Sequence, residues 1–230
     1  MEHTDKQFDL ELSNLRTKLS QMGDLVVAQL DRALACLSEH DVRGARAVIE
    51  RDINLNRMDI DLEEMCLQLL ALHQPVAGDL RLITAVMKIT TELERIGDRV
   101  VNICEAVHDR DERDPATSHA EVSQMGALAL TMVRGSLMAF SQADSSVARR
   151  VFEKDDEFDA LYGAVFAKLT ASVAKDPDRV VHDTKLAFLS KDLNEISEHA
   201  TNIAEVVMFM VDGKEITHMD MHERRANHMR

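Results

Sequence analysis

Apolar residues recur along this chain at steps of three and four, the spacing that places them on one face of a helix. Leu12, Leu15, Leu19, Met22, Val26, Leu30, Ala33 and Leu37 form the first such stripe, predicting a helix of roughly 28 residues that stops at Ser38-Glu39-His40. Asp41 is placed to cap a second helix running to about Leu72, because its carboxylate can accept from the free amides of the first turn. His73-Gln74-Pro75 breaks that helix, and Pro75 is expected in the first turn of a third, where its missing N–H costs nothing. Val86, Ile89, Leu93, Ile96, Val100, Ile103 and Val107 carry the third stripe.

The third helix is written twice. Thr90 to Val107 and Ser190 to Val207 share Leu93/Leu193, Ile96/Ile196, Asn102/Asn202, Ile103/Ile203, Glu105/Glu205 and Val107/Val207, all at an offset of 100. Acid matches acid at Glu92/Asp192 and Asp98/Glu198, and small matches small at Gly97/Ser197. The first two helices repeat as well, at an offset of 103: Ser20-Gln21-Met22-Gly23 returns as Ser123-Gln124-Met125-Gly126, and Asp41 returns as Asp144. Asp176-Pro177 reads as cap and first-turn proline of the last helix. Between the copies, residues 109–118 (DRDERDPATS) combine dense charge with a proline and no large apolar residue, the composition of a linker.

Long helices with one buried face cannot stand alone in water, so three of them joined by short turns should close on one another. The expected architecture is all-α, two tandem, internally duplicated antiparallel three-helix bundles. The expected organisation is a flexible N-terminus 1–9, a first repeat 10–108, a linker 109–118, a second repeat 119–212 and a flexible tail 213–230. The composition supports helices: 45% hydrophobic residues but 3% aromatics, with 8 Gly and 3 Pro in 230 residues. Whether the bundles lie side by side or merge is not written in the pattern.

A formal net charge of −14 argues against nucleic acid, whose phosphates are bound by neutralising them. Cys36, Cys66 and Cys104 lie on or beside apolar stripes, which suits reduced thiols in a cytoplasmic protein. No apolar run approaches a membrane span, so any membrane contact is expected through partners. No Gly-rich phosphate loop, nucleophile elbow or His-Glu-x-x-His occurs, and no catalytic residue is expected.

The candidate chemistry is acidic. Glu94 and Asp98 stand four residues apart, on the side of the third helix turned away from its stripe, with Glu105 and Asn102 beside them. Such a pair suits a di- or trivalent cation; the competing reading is a solvated acidic face eased by Arg95 and Arg99. Asp52 and Asp59 fall on the Ala45, Val48, Leu55, Leu62 stripe of the second helix, and Asp155 takes the matching place between Val151 and Phe158, where a carboxylate needs a partner. Asp155 and Asp159 repeat the four-residue spacing, against Asp52 and Asn56 in the first half. The second-half counterpart of Glu94/Asp98 is Asn194/Glu198, so two metal sites, if built, would not be equivalent. Gly97, with Ser197 at the matching place, signals close approach by a neighbouring element. His218 and His222 are a further spaced pair, in the tail.

Gln74-Pro75-x-Ala77-x-Asp79-Leu80-Arg81, then Leu93-Glu94-Arg95-Ile96-Gly97-Asp98, then His199-Ala200-Thr201-Asn202-Ile203-Ala204-Glu205, resemble the PhoU family over almost the whole chain. The resemblance implies two similar three-helix bundles and a cytoplasmic protein without enzymatic activity. It implies a negative regulator of the phosphate regulon and of phosphate uptake. Such a protein connects the ATPase subunit of the phosphate ABC transporter to a PhoR-like sensor histidine kinase when phosphate is plentiful. A homodimer is also expected. Some members bind iron or other metals through an acidic E(D)-x-x-x-D motif, which Glu94 with Asp98 and Asp155 with Asp159 match. Asp52 with Asn56 and Asn194 with Glu198 depart from it. The alternatives are a metal store or metal-dependent hydrolase, and a helical adaptor for another transporter.

Overall fold

A computed structural model describes residues 2–108 and 120–214, with side chains at 6–107 and 120–214. The expected linker, most of the expected tail, and His218 with His222 lie outside the described residues. Six long helices follow one another: α1 (Glu2–Glu39), α2 (Val42–His73), α3 (Ala77–His108), α4 (Ala120–Gln142), α5 (Ser145–Lys175) and α6 (Val180–Asp212), the last entered through a 3-10 turn, Pro177–Arg179. No strand occurs among the described residues. The helices α1, α2 and α3 pack as one three-helix bundle and α4, α5 and α6 as a second.

The caps act as the spacing predicts. Asp41 Oδ1 accepts from the Gly44 amide at 2.9 Å and Asp144 Oδ1 from the Ser146 amide at 2.7 Å, each satisfying a first-turn donor. Asp176 accepts from the Asp178 amide and Pro177 opens the turn behind it. Pro75 departs from expectation: α3 begins at Ala77, and Gln74 and Ala77 both take positive φ, so the chain reverses sharply around the proline instead of starting the helix with it.

α1 starts at Glu2, well before the loose segment 1–9 would allow. Its extra turns are held from a distance. The Phe8 ring stacks on His73 at the far end of α2, with centroids 4.7 Å apart, and His73 Nε2 pairs with Glu11 Oε2 at 2.9 Å. Gln7 donates to Glu11 within the helix at 2.9 Å.

The two bundles meet as an internal twofold pair. Gly23 on α1 faces Leu137 on α4, so close that a Cβ there would lie 2.7 Å from Leu137 Cδ2. The matching glycine, Gly126 on α4, faces Leu34 on α1, and a Cβ would lie 2.5 Å from Leu34 Cδ2. Gly23/Gly126 and Leu34/Leu137 are equivalent pairs at the repeat offset, so one contact is the other turned over, as in an isologous dimer. Arg134 meets its own repeat equivalent, Asp31, at 3.4 Å, which places both beside the pseudo-twofold axis. The core runs unbroken through both halves.

Candidate functional site: an interlocked helix pair and an acidic face

The pseudo-twofold axis also passes between α3 and α6, the two copies of the duplicated helix. On α3, Glu92, Arg99 and Asn102 share one face; on α6, Asp192, His199 and Asn202 are their repeat equivalents. Asn202 Nδ2 donates to Glu92 Oε2 and Asn102 Nδ2 to Asp192 Oδ1, each at 3.0 Å. His199 Nδ1 lies 2.7 Å from Glu92 Oε2, and Arg99 lies 3.5 Å from Asp192 Oδ1. Each copy's acid is therefore held by the other copy's base and amide together.

The two clasps are unequal. Burial pushes the Glu92 carboxyl up, but its hydrogen bonds from His199 and Asn202 outweigh burial and hold it below its ordinary range. Burial also pushes Asp192 up, and there the Asn102 bond and Arg99 do not compensate, so it stays raised. The difference is geometric: the Arg99 guanidinium is drawn to Glu195 at 3.0 Å and reaches Asp192 only at 3.5 Å.

This clasp corrects the reading of Asn102 as part of a free outer face: it is tied into the helix pair. Nor do Arg95 and Arg99 ease the acidic pair as counterions by direct contact; Arg95 bridges to Glu92 at 3.4 Å and Arg99 to α6. The signal for the clasp is present in the sequence as polar columns repeated in both halves, Asn102/Asn202 and Glu92/Asp192. Those columns do not say that the two copies face each other.

The acidic candidates of the first half do come together. Gly97 allows α2 to lie close on α3: a Cβ at Gly97 would overlap Leu55 Cδ2 and lie 3.4 Å from Asp52 Oδ1. Burial raises Asp52, and the Asp98 carboxylate raises it further, against the hydrogen bond that Asn56 Nδ2 donates at 3.3 Å. Burial raises Glu94 too, with Asp98 and Asp59 adding to the effect and Arg95 opposing it. Asp59 is raised by burial and then by Glu63. Asp52, Asp59, Glu94 and Asp98 thus form one like-charged patch across two helices.

The second-half candidates are arranged otherwise. Asp155 is buried, at 6% exposure, whereas Asp159 and Glu198 are exposed. Asn194 Nδ2 donates to Glu198 Oε1 at 2.7 Å, so that oxygen is engaged within α6. Among the described residues no three His, Cys, Asp or Glu side chains are grouped so that they could hold a metal ion. The Asp52, Asp59, Glu94 and Asp98 carboxylates act on one another across the α2–α3 pair but do not fit a preformed metal centre. The three thiols are buried and free, and burial pushes those of Cys66 and Cys104 up to about 12, which leaves them inert core residues.

Fold and site together define a duplicated helical scaffold, two three-helix bundles locked through reciprocal contacts of their equivalent helices, with an acidic patch across α2 and α3. The PhoU domain model matches residues 19–107 and 122–207, one match per bundle, and the chain belongs to the PhoU family. It is 33% identical to the phosphate-specific transport system accessory protein PhoU homolog of Pseudomonas putida, over 97% of this chain and 88% of that protein. It is 34% identical to the protein of the same description from Caulobacter vibrioides, over 94% of each. Two solved structures share the fold. PhoU from Pseudomonas aeruginosa superposes with a TM-score of 0.84 at 31% identity, covering 90% of this chain and 100% of that one. The phosphate transport system regulatory protein PhoU from Streptococcus pneumoniae gives 0.85 at 30% identity, covering 91% and 99%.

Proposed function

We propose that this protein is a cytoplasmic negative regulator of the phosphate regulon and of phosphate uptake. It couples the ATPase subunit of a phosphate ABC transporter to a PhoR-like sensor histidine kinase when phosphate is plentiful. The observation that carries this reading is the match of both bundles to the PhoU domain, with relatives described as accessory proteins of phosphate-specific transport aligned along nearly the whole chain.

The geometry supports a role exercised by binding. No helix of the described residues is long and apolar enough to cross a membrane, so contact with a transporter is through its exposed subunit. A regulator needs only unequal affinity for two states of its partners to shift their balance. Two bundles related by a pseudo-twofold but differing in surface chemistry give one rigid body two distinct faces, which is what joining two different partners requires. Deleting the gene should raise alkaline phosphatase in phosphate-rich medium, and tagged protein should recover the transporter ATPase and the kinase more strongly at high phosphate than at low. Unchanged phosphatase after deletion would sink the regulatory reading; recovery of some other transporter instead would make the protein that transporter's adaptor.

A further inference from the structure

The outer side of α2 carries three large apolar residues at seven-residue spacing, Ile53, Ile60 and Leu67, which are 54%, 57% and 51% exposed. Seven residues is two helical turns, so the three form one line along the helix, the arrangement with which one helix receives another. The fold does not need them there. Their equivalents on α5, at the offset of 103, are Asp156, Gly163 and Thr170, also exposed, and the second bundle closes its core without any apolar residue in the line. The internal repeat thus serves as a control within one molecule: the same helix in the same fold, with the line present in one copy only.

One bank of this line is acidic. Asp52, Asp59 and Glu63 lie to one side of it on α2, with Glu94 and Asp98 beyond them on α3, whereas the other bank mixes Glu50 and Glu64 with Arg46 and Arg57. Partial burial, and after it the neighbouring carboxylates, hold Asp52, Asp59 and Glu94 above the ordinary carboxylate range. A second copy is a poor occupant, because it would add an identical acidic bank and its own charge of −14 to the same interface.

We propose that this face of α2 is a docking surface for an amphipathic helix of a partner protein. That helix would present apolar residues at heptad spacing to Ile53, Ile60 and Leu67, and lysines or arginines to Asp59, Glu63 and their neighbours. The inference rests on the geometry of α2 and is independent of the regulatory reading. Apolar burial supplies the affinity, and the acidic bank fixes the register and direction of the incoming helix.

The test uses two designed helical peptides of about four turns, matched in length to the line, with leucine at heptad spacing; one carries lysines along one bank and the other glutamates there. Binding to the full chain is read by fluorescence anisotropy at low and at high salt, beside sedimentation of the chain alone. The lysine peptide should bind one to one, weaken with salt, and lose about tenfold or more in affinity with Ile60→Asp, an exposed position that leaves the fold intact by its thermal melt. Asp59→Asn with Glu63→Gln should weaken it severalfold, the control Gly163→Asp should leave it unchanged, and the glutamate peptide should bind about tenfold more weakly or worse. Failure of the lysine peptide to bind, or binding indifferent to Ile60→Asp, would overturn the proposal. A dimer of the chain that Ile60→Asp splits would overturn it as well, since the face would then belong to a second copy.

Discussion

Removing either acid of the α3–α6 clasp should have unequal effects, and the inequality follows from the geometry around each carboxylate. Glu92 and His199 have side chains only 14% and 16% exposed, and Glu92 accepts at 2.7 Å from the ring and 3.0 Å from Asn202. A hydrogen bond to a charged group contributes about 1.5–3 kcal/mol, and truncation leaves two partly buried donors without an acceptor. Glu92→Ala should therefore cost about 2–4 kcal/mol at neutral pH. Asp192 is equally enclosed, at 15%, but its raised carboxyl shows that burial outweighs what Asn102 and the stretched Arg99 ion pair return. Asp192→Ala should cost less than about 1 kcal/mol, because relief of the desolvation penalty offsets the hydrogen bond and ion pair that the truncation removes.

The pH dependence has opposite sign for the two. Glu92, lowered in the folded state, stabilises above the unfolded carboxyl range of about 4.3, and that contribution is lost as pH falls through its folded value. Asp192, raised in the folded state, favours the fold most below its unfolded value of about 3.9 and loses that contribution as pH rises through its folded one. Urea unfolding of both variants at about pH 7 and about pH 3, on either side of the carboxylate range, measures this directly. Equal costs at neutral pH, or a Glu92→Ala cost that persists undiminished in acid, would refute the assignment of unequal clasps.

Other consequences can be checked by similar means. Gly97→Ala gains about 1 kcal/mol of helix propensity but drives a methyl into fully buried Leu55, at an overpacking cost of about 1–3 kcal/mol, so denaturation should show a loss of up to about 2 kcal/mol; a net gain would mean that Leu55 moves freely. Asp52→Asn should raise the melting temperature at neutral pH, since a raised carboxyl destabilises the fold once pH exceeds its folded value. It should have no such effect below about pH 4, where both residues are neutral, and melts under the two conditions decide it. Asp41→Ala and Asp144→Ala each remove an N-cap and should each lower the denaturation midpoint, while the second Asp41 partner, Arg32, makes the Asp41 change the larger of the two; unchanged midpoints would deny the caps any part in stability.

The helices, their caps and the duplication are determined locally, and for that reason they stand in the sequence. A stripe such as Leu12 to Leu37 needs only the 3.6-residue period to declare itself, Asp41 and Asp144 need only the free amides of the turn that follows, and the offsets of 100 and 103 align every equivalent position. Even the close approach at Gly97 is legible, because a glycine within a helix is costly unless something presses against it. The tertiary structure decided what no local rule contains: which surfaces of the duplicated helices meet. Once α3 and α6 cross about a pseudo-twofold axis, Asn102 passes from outer face to interface, Arg95 and Arg99 turn toward the clasp, and Glu94 and Asp98 are left with Asp52 and Asp59 as their neighbours. Contacts between residues 90 or more positions apart depend on the relative placement of whole helices. That placement is set by the summed fit of many apolar side chains, so the polar residues at its margin acquire their partners only when it is complete.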